Sequence, residues 1–321
     1  MKIGIIGPGA MGCLLAAYLA KAGQEVILLD HQAERAAFIN RKGLKIEGIR
    51  GSVRMMVPAT LEPEKLSGSQ LIVLCVKAYD TRTVVENIGN LGSGPLWVTL
   101  QNGVGNVEIL EEYLSRANIL AGITSHGATL LGPGRIRHAG EGDTFIGYAF
   151  PGKKGQAKKE EDLLAISRIL EAAGFKTQIV GQIENLIWTK LLVNVGINAL
   201  TALTRLPNGA LLDYLETEEI LEEAVREAIE VGRAKAVAFT YPDPLERVKK
   251  VCRMTQSNIS SMLQDILKEK RTEIDFINGV IVREGRKRNI PVPVNTVLTL
   301  LVKTLEKSFS QRIRQVQSLE I

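Results

Sequence analysis

Short, strand-length runs of apolar residues alternate with stretches of helical period through the first half of the chain. The run Leu71–Val76 is apolar at every position, as in a parallel strand that is buried on both faces. The alternation of strand and helix predicts an open α/β domain built on a doubly wound sheet. The predicted strands are Lys2–Ile6, Glu25–Leu29, Leu71–Val76, Leu96–Leu100, Ile119–Thr124 and Phe175–Val180.

The end of this domain follows a different pattern. Residues 136–148, which include two glycines, predict an antiparallel hairpin at the sheet edge. The charged segment 152–161 predicts a surface loop that leads into a helix over residues 162–173. After the last strand we place a domain boundary, which divides the chain into residues 1–181 and 182–321.

Beyond that boundary the apolar positions follow a helical period, and prolines separate the segments. The sequence therefore predicts an all-helical second domain. An α/β domain followed by a helical one creates an interdomain cleft, where ligand sites are often found. The predicted helices are Ile183–Leu203, Ala210–Tyr214, Glu218–Ala238, Pro244–Met254, Ile259–Leu267, Glu273–Arg288 and Asn295–Arg314.

Composition narrows the class of partner. The chain of 321 residues has room for two domains, and its apolar, charged and aromatic fractions are those of a globular protein. The net charge of +5 favours small anionic ligands. The basic clusters lack the interleaved aromatic residues of a nucleic-acid surface. We therefore expect a small-molecule ligand and no nucleic-acid partner.

Cysteine usage and hydropathy indicate the compartment. Cys13, Cys75 and Cys252 form neither a disulfide framework nor a metal set, which fits a reducing cytoplasm. No uninterrupted apolar segment reaches the roughly 18–20 residues of a membrane span. Glycines break the apolar N-terminus, unlike in a signal peptide. We expect a cytoplasmic protein that does not contact a membrane.

The stretch Gly7-Pro8-Gly9-Ala10-Met11-Gly12 follows the first predicted strand and opens a helix over Met11–Ala22. In such a G-x-G-x-x-G loop the first glycine makes the tight turn and the second lets the backbone approach a pyrophosphate. The third lets helix and strand pack closely. The pyrophosphate would lie at the N-terminus of the helix. We therefore predict a Rossmann-type domain that binds a dinucleotide through this loop.

The residue after the second strand, Asp30, bears on the choice of nicotinamide cofactor. An acidic side chain at this point usually accepts a hydrogen bond from the ribose 2′-hydroxyl and repels a 2′-phosphate, which favours NAD(H). His31 and Arg35 lie just beyond and would suit a phosphate. The residues themselves therefore leave both NAD(H) and NADP(H) open.

Polar residues also follow other predicted strands. Lys77 comes after the third strand and Asn102 after the fourth, while the fifth ends near His126 and Ala128. Ligands bind at the carboxyl ends of strands in an open α/β sheet, so Lys77 and Asn102 are candidates to face a cofactor or substrate. A solvated lysine and an Asn-Gly turn are the alternatives.

In the second domain, Lys190, Asn194 and Asn198 recur at four-residue spacing and form one polar ladder on a helix that is otherwise apolar. Unpaired burial of these groups would be costly. Either they satisfy each other and nearby backbone, or they face a wet cleft and hold a ligand.

The histidines His31, His126 and His138 are isolated in the sequence and lack metal-ligand spacing. We expect no metal site and a structural role for each of them.

Three stretches of the chain resemble the ketopantoate reductase (2-dehydropantoate 2-reductase) family, and the likeness runs from end to end. The glycine motif is shared with many dehydrogenases. The second stretch is Lys190-x-x-x-Asn194-x-x-x-Asn198 with Pro207-Asn208-Gly209. The third, which is far more specific to this family, is Asn258-Ile-Ser-Ser-Met-Leu-Gln-Asp265 followed by Thr272-Glu-Ile-Asp-Phe-Ile-Asn-Gly279.

The resemblance implies a helical domain similar to the C-terminal domain of 6-phosphogluconate dehydrogenase. It also implies an NAD(P)H-dependent oxidoreductase that reduces ketopantoate to (R)-pantoate in pantothenate and coenzyme A biosynthesis. NADP(H) is the family's cofactor, with an arginine near the end of the second strand. This chain has Asp30-His31 there, so NAD(H) stays an alternative.

The resemblance assigns roles to individual residues. Lys190 matches the catalytic lysine that protonates the substrate carbonyl as hydride arrives from the nicotinamide. Glu273 matches the glutamate that engages the substrate hydroxyl near that lysine and the cofactor. The residues matched to substrate contacts are Asn102, Asn194, Asn198, Asn208 and Ser261, of which the serine binds the carboxylate. Those matched to positions near the nicotinamide and ribose are Lys77, Asn102 and Ala128.

Elementary chemistry agrees, because ketone reduction builds negative charge on oxygen and a positioned ammonium both stabilises it and supplies the proton. Two other hypotheses remain. One is another 2-oxo acid or β-hydroxy acid reductase on the same scaffold, which substrate profiling would separate. The other is a non-catalytic dinucleotide sensor, which would not need the complete polar set. The long C-terminal helices either form a homodimer contact or complete their own core.

Overall fold

The apolar runs of the first half form strands in the computed structural model, which describes residues 1–88, 94–150 and 157–312. The strands are β1 (Lys2–Ile6), β2 (Glu25–Leu29), β3 (Leu44–Gly48), β4 (Gly51–Met55), β5 (Ala59–Thr60), β6 (Leu71–Leu74), β7 (Leu96–Thr99), β8 (Ile119–Thr124), β9 (Gly127–Gly132), β10 (Arg135–Gly140), β11 (Thr144–Tyr148) and β12 (Thr177–Ile179).

The larger sheet has the order β12-β11-β8-β7-β6-β1-β2-β5. The six neighbouring strands β8, β7, β6, β1, β2 and β5 are parallel to one another. Next to β8, strand β11 runs antiparallel. The chain moves outward from β1 to β5 and then returns to start the other half at β6, which makes β1 and β6 the switch point. This topology confirms the predicted doubly wound, Rossmann-type sheet.

A second sheet of order β4-β3-β10-β9 covers part of this domain and was not predicted. Buried and more exposed residues alternate along its strands β3 and β10. The inward residues Ile46 and Ile136 are completely buried in the same core as the first helix. The outward residues of β10, Arg135 and Arg137, are exposed.

The predicted hairpin over residues 136–148 is wrong. β10 and β11 lie in different sheets, and each pairs antiparallel with an earlier strand, β9 and β8 respectively. The reason is burial. β10 has one apolar face and suits the half-exposed small sheet, whereas β11 is buried at nearly every position and enters the large one.

The helices of the first half are α1 (Ala10–Lys21), α2 (Ala33–Lys42), α3 (Thr81–Ile88), α4 (Asn106–Glu111) and α5 (Ala157–Ala172). Because α5 begins at Ala157, the predicted surface loop over 152–161 is wrong from that residue onward. Its earlier part, 152–156, lies outside the described residues.

The second half is helical in every described element, as predicted. Its α-helices are α6 (Ile183–Thr204), α7 (Leu215–Ala234), α8 (Pro244–Met254), α9 (Ser261–Leu267), α10 (Asn278–Arg288) and α11 (Pro293–Lys307).

Several predicted helices of this half need correction, among them Glu218–Ala238, which is Leu215–Ala234 in the structure. The segment at 210–214 is a short 3₁₀ turn, Gly209–Leu212. The helix predicted from Glu273 begins as another 3₁₀ turn, Ile274–Phe276, and α10 follows it. The last helix ends at Lys307, and residues 313–314 of the prediction lie outside the described residues.

The described chain divides into two compact units, Met1–Ile187 and Trp188–Ile321. The boundary after residue 181 stays a prediction. Among the described helices, α6 is the one long and apolar enough to cross a membrane, but 67 % of its most apolar window is buried in the molecule. Core helices pass the same test, so this is weak evidence for a span.

A buried polar network holds α6 inside the second unit. Asn278 Nδ2 donates to Val195 O of α6 over 3.2 Å and to Asn295 Oδ1 over 3.0 Å. Asn295 Nδ2 in turn donates to Glu227 Oε2, whose carboxylate also accepts the backbone N–H groups of Val294 and Asn295. Such a network fixes α6 in one position because any slip would leave buried polar groups unpaired.

His126 and His138 are not isolated, as the sequence suggested, but form a buried pair. His126 Nδ1 and His138 Nε2 are 3.0 Å apart, and the Tyr18 hydroxyl lies 3.3 Å from His138 Nδ1. The exposed fractions of the two histidines are 6 % and 1 %. The predicted structural role is consistent with this placement.

We expect acid to destabilise the protein through this pair. Burial lowers the pKa of both imidazoles. The neighbouring imidazole and then Arg50 lower that of His126 further, and Arg50 lowers that of His138, whereas Glu141 opposes the shift. The unfolded chain then binds protons that the folded chain does not. The free energy of unfolding should therefore fall as the pH drops below the unfolded pKa of about 6.5.

Urea unfolding at several pH values between 7.5 and 5 measures this. His126→Gln should flatten the pH dependence, whereas His31→Gln, at a position whose side chain is 77 % exposed, should retain it. Equal slopes in the two variants would contradict the assignment.

Candidate active site

The strand register brings the predicted nucleotide residues to one edge of the large sheet. Leu29, Ile6, Leu74 and Thr99 lie side by side across β2, β1, β6 and β7. The loops that follow these strands therefore begin at the same level. They carry the glycine motif, Asp30, Lys77 and Asn102, so the structure brings these candidates together within the first unit.

The glycine loop has the geometry that each glycine was predicted to provide. Gly7 has φ of +97°, and a Cβ there would lie 2.7 Å from Val76 N. At Gly12 a Cβ would lie 2.1 Å from Gly7 O, so α1 packs on the turn only without a side chain. A Cβ at Gly9 would meet no atom within 4 Å and would project into open space.

The loop fits a dinucleotide pyrophosphate. Gly9 is the N-cap of α1, and no side chain caps the helix or places an acidic group in its first turn. The backbone N–H groups of a helix N-terminus attract anions, and the open space at Gly9 lets one approach. Gly7, Pro8, Gly9, Ala10, Met11 and Gly12 are the residues that would hold it.

Asp30 is engaged within its own loop. Arg35 Nε donates to its Oδ2 over 2.7 Å, and the backbone N–H groups of His31 and Gln32 donate to its Oδ1 over 2.7 and 3.0 Å. The Asp30 side chain is 0 % exposed, whereas that of Arg35 is 18 % exposed. The carboxylate thus anchors the turn before α2, and its charge is paired.

Sequence reasoning missed the residue that joins the loops after β6 and β7. Gln101 Nε2 donates to Val76 O over 2.9 Å and to Thr81 Oγ1 over 2.8 Å. Asn106 accepts from Thr81 Oγ1 and donates to Asn102 O. The signal in the sequence was its position, because Gln101 is a polar residue directly before the candidate Asn102. These bonds fix the position of Asn102 relative to the end of β6.

Ala128 lies in β9 of the small sheet, opposite His138, and not in a loop after β8 as expected. Lys77 precedes the 3₁₀ turn Ala78–Asp80 and is half-buried. Both positions are compatible with the roles that the family resemblance implies, which stay predictions.

The polar ladder lies on α6 as predicted, and its burial increases along the helix. Lys190 and Asn194 are half-buried, and Asn198 is 5 % exposed. One turn further, Thr201 Oγ1 donates to Asn198 O and lies 2.7 Å from Ser260 Oγ. The far end of the ladder is therefore joined to the N-cap of α9.

Lys190 has the electrostatics of a proton donor. Burial lowers the pKa of its ammonium to about 8, while the negative charge of Glu273 acts to raise it. Glu273 is 5 % exposed and precedes the 3₁₀ turn Ile274–Phe276. Both predicted catalytic residues lie in the second unit, and the charge of Glu273 acts on the Lys190 ammonium.

The two remaining substrate candidates differ in exposure. Ser261 is exposed at the first residue of α9, where its neighbour Ser260 caps the helix by accepting from Leu263 N. Asn208 is buried, and its Nδ2 donates to Thr255 Oγ1 over 3.0 Å. Its Oδ1 is a buried acceptor with no partner among the described residues. Asn208 ties its turn to the end of α8.

Among the described residues, no group of three or more His, Cys, Asp or Glu side chains could hold a metal ion.

A Rossmann-type sheet with an open glycine loop, followed by a helical unit with a lysine of lowered pKa, defines a dinucleotide-dependent oxidoreductase. Family models agree: "Ketopantoate reductase PanE/ApbA" matches residues 3–150, and its C-terminal counterpart matches residues 182–306. The chain belongs to the ketopantoate reductase family.

Curated relatives span nearly the whole chain. The 2-dehydropantoate 2-reductase of Halobacterium salinarum is 35 % identical, over 96 % of this chain and 99 % of that protein. The 2-dehydropantoate 2-reductase of Archaeoglobus fulgidus is 36 % identical, over 95 % of this chain and 98 % of that protein.

Solved structures of similar fold include two kinds of enzyme. The ternary complex of D-mandelate dehydrogenase with NADH and anilino(oxo)acetate has a TM-score of 0.88 and 27 % identity. The PanE/ApbA family ketopantoate reductase of Ralstonia eutropha has a TM-score of 0.87 and 32 % identity. Each comparison covers 96 % of this chain and 99 % of the other.

The pKa of Lys190 predicts the pH dependence of the reduction. The ammonium is present below about pH 8 and is lost above it, so kcat/KM should fall about tenfold per pH unit on the alkaline side. Glu273→Gln removes the charge that raises this pKa and should move the fall to lower pH.

The pH profile of kcat/KM, measured for both proteins, tests this prediction. Glu184→Gln, which removes an exposed carboxylate from the same helix, is the control and should leave the profile unchanged. An unshifted profile in Glu273→Gln would contradict the pairing.

Proposed function

We propose that this protein is a 2-dehydropantoate 2-reductase that uses NADPH to reduce ketopantoate to (R)-pantoate. The observation that carries the proposal is the match to both ketopantoate reductase family models along the chain, and the Lys190 ammonium, whose pKa burial lowers to about 8, supports it. Family membership supports the reaction, and the geometry of the glycine loop supports the dinucleotide.

The chemistry divides between cofactor and protein. The reduced nicotinamide supplies the hydride when the dinucleotide is bound. As negative charge develops on the ketone oxygen, Lys190 stabilises it and transfers a proton to it from Nζ. The lysine is left neutral and regains a proton from solvent, to which its half-buried side chain has access. Glu273 keeps the ammonium charged between turnovers.

The amides and the serine orient the substrate in this proposal. Asn194 and Asn198 hold the hydroxyl and carbonyl oxygens without adding a competing charge. Ser261, exposed at the start of α9, binds the carboxylate, for which the N-terminus of that helix is favourable. Asn208 is a further substrate contact in this proposal: its Nδ2 is bonded to Thr255, and its buried Oδ1 has no partner among the described residues.

On the nucleotide side, Lys77, Asn102 and Ala128 lie near the nicotinamide and ribose in this proposal. Lys77 and Asn102 follow β6 and β7 at the ligand edge of the sheet, which supports their part of the assignment. Glu273 is the residue of the second unit assigned to the cofactor.

NADPH is favoured over NADH because the negative charge of Asp30 is not available to repel a phosphate. Both carboxylate oxygens of Asp30 are bound, and its side chain is buried. Arg35 and the exposed His31 supply N–H donors beside the same turn. The relevant charge at the end of β2 is that of the Asp30–Arg35 pair, which is neutral.

Arg35→Gln should reverse this preference. Without the guanidinium, the Asp30 carboxylate regains its free charge, so the ratio of kcat/KM for NADPH to that for NADH should fall at least about tenfold. Arg41→Gln, in the last turn of the same helix, should leave the ratio unchanged. Steady-state kinetics with both cofactors measure the ratio, and an unaltered value in Arg35→Gln would contradict the proposal.

A second candidate substrate class follows from the solved structures. D-mandelate dehydrogenase shares the whole fold with this chain, so a bulkier aromatic 2-oxo acid is the alternative to ketopantoate. Curated relatives of higher identity favour ketopantoate.

An assay of ketopantoate and phenylglyoxylate at equal concentrations, with NADPH and with NADH, decides between them. Ketopantoate should have the higher kcat/KM, and Lys190→Ala should lower kcat at least about 10²-fold for either substrate while cofactor binding persists. A preference for phenylglyoxylate would overturn the assigned substrate, and unchanged turnover in Lys190→Ala would overturn the mechanism.

The cytoplasmic location and the absence of nucleic-acid and membrane partners stay predictions. So does a homodimer, for which α11 offers a stripe of exposed apolar residues, Val297, Leu300 and Leu301.

A further inference from the structure

The outer face of the small sheet carries a row of three cations. Arg135 of β10 lies opposite Lys45 of β3, which in turn lies opposite Arg54 of β4. Their chain neighbours Ile46 and Ile136 point into the core, so the three cations share the outer face. Adjacent strands are only about 4.8 Å apart, which places the three charges side by side.

This row lines a cavity of about 240 Å³ in the first unit. Helix α2 contributes Lys42, in its last turn, and Phe38. Backbone of Gly43 and Gly134 completes the wall. We call this feature the basic cavity; its lining residues are Phe38, Lys42, Gly43, Lys45, Arg54, Gly134 and Arg135.

The charges of the basic cavity are poorly balanced by the protein itself. Like charges directly opposite each other on neighbouring strands are destabilising. Lys45 Nζ lies 3.4 Å from Glu47 Oε2, and both side chains are partly exposed. Over the ranges 1–88, 94–150 and 157–312, Lys42, Arg54 and Arg135 form no ion pair with a carboxylate. Arg54 instead donates to the backbone oxygen of Lys42 over 2.7 Å.

We propose that the basic cavity binds a small phosphorylated molecule. The accessible lining of the cavity is mostly apolar, so the charged ends of these side chains act at its mouth. There the two guanidinium groups suit the oxygens of a phosphate or pyrophosphate, and the two ammonium groups add charge without fixed geometry. Phe38 provides an apolar wall for an organic part of the ligand. The volume accommodates a small molecule.

The basic cavity is separate in the fold from the predicted cofactor loop. The cofactor loop follows β1 at the carboxyl edge of the large sheet, whereas the basic cavity lies on β3, β4, β10 and the C-terminal end of α2. The two share no residue. A ligand can therefore occupy the basic cavity whatever the outcome for the proposed reaction.

Calorimetric titration of pyrophosphate, and separately of inorganic phosphate, into the full chain without nucleotide tests the proposal. NADPH is left out because its own phosphates would compete for the basic cavity; binding at the glycine loop would instead be insensitive to substitutions in the cavity. We expect pyrophosphate to bind more tightly than phosphate, and binding to weaken as salt rises because exposed charges are screened. Arg135→Gln and Lys42→Gln should each weaken binding at least about tenfold.

Arg137→Gln is the matched control. Arg137 lies two residues after Arg135 on the same face of β10 and does not line the cavity. The substitution therefore removes the same charge from the same surface. It should leave the affinity unchanged, with melting temperatures confirming that all variants fold. Absence of saturable binding would overturn the proposal, as would equal weakening in Arg137→Gln and Arg135→Gln. A short oligonucleotide that binds more tightly than pyrophosphate would point to a nucleic-acid surface and also overturn it.

Discussion

The balance between burial and one opposite charge at Lys190 is the constraint on which the candidate active site depends. Burial alone favours a neutral lysine, which could neither stabilise an alkoxide nor donate a proton. Glu273 opposes that effect, and the resulting pKa of about 8 keeps the group charged at neutral pH yet able to release its proton. Packing around α6 provides the burial, so the same apolar residues that stabilise this helix also set the acidity of its lysine.

The polar ladder on α6 combines the two alternatives that the sequence left open. At its far end the backbone is tied down, because Asn198 O accepts from Thr201, which is bonded to Ser260. Its near end, Lys190 and Asn194, is half-buried, and the side chains of the whole ladder are the groups proposed to face a ligand. The Asn278–Asn295–Glu227 network bonds to the same helix. A helix held this firmly can position a proton donor without reorganisation during the reaction.

Local sequence patterns predicted most strands and helices, whereas the pairing of strands distant in the sequence could not be predicted. Continuous apolar runs located the strands of the large sheet, and four-residue spacing located the ladder, because both depend on residues close in sequence. In the small sheet, β3 pairs with β10 across a long stretch of chain, and no local pattern specifies that partner. Its two local hairpins, β3–β4 and β9–β10, were missed because their strands lack the continuous apolar runs that located the large sheet. His126 directly precedes β9, and the antiparallel pairing of β9 with β10 brings it to His138, 12 residues away in the sequence.

The effect of Asp30 on cofactor binding depends on its side-chain partners as well as on its position in the motif. An acidic residue after the second strand indicates NAD only if its carboxylate is free to meet the ribose, and that depends on side-chain partners that the motif does not include. Here Arg35, five residues on, lies in the first turn of α2 and reaches back to the carboxylate. The pair cancels the charge from which repulsion of a 2′-phosphate would arise. For this chain the proposed cofactor preference therefore rests on the net charge of the loop and not on the identity of one residue.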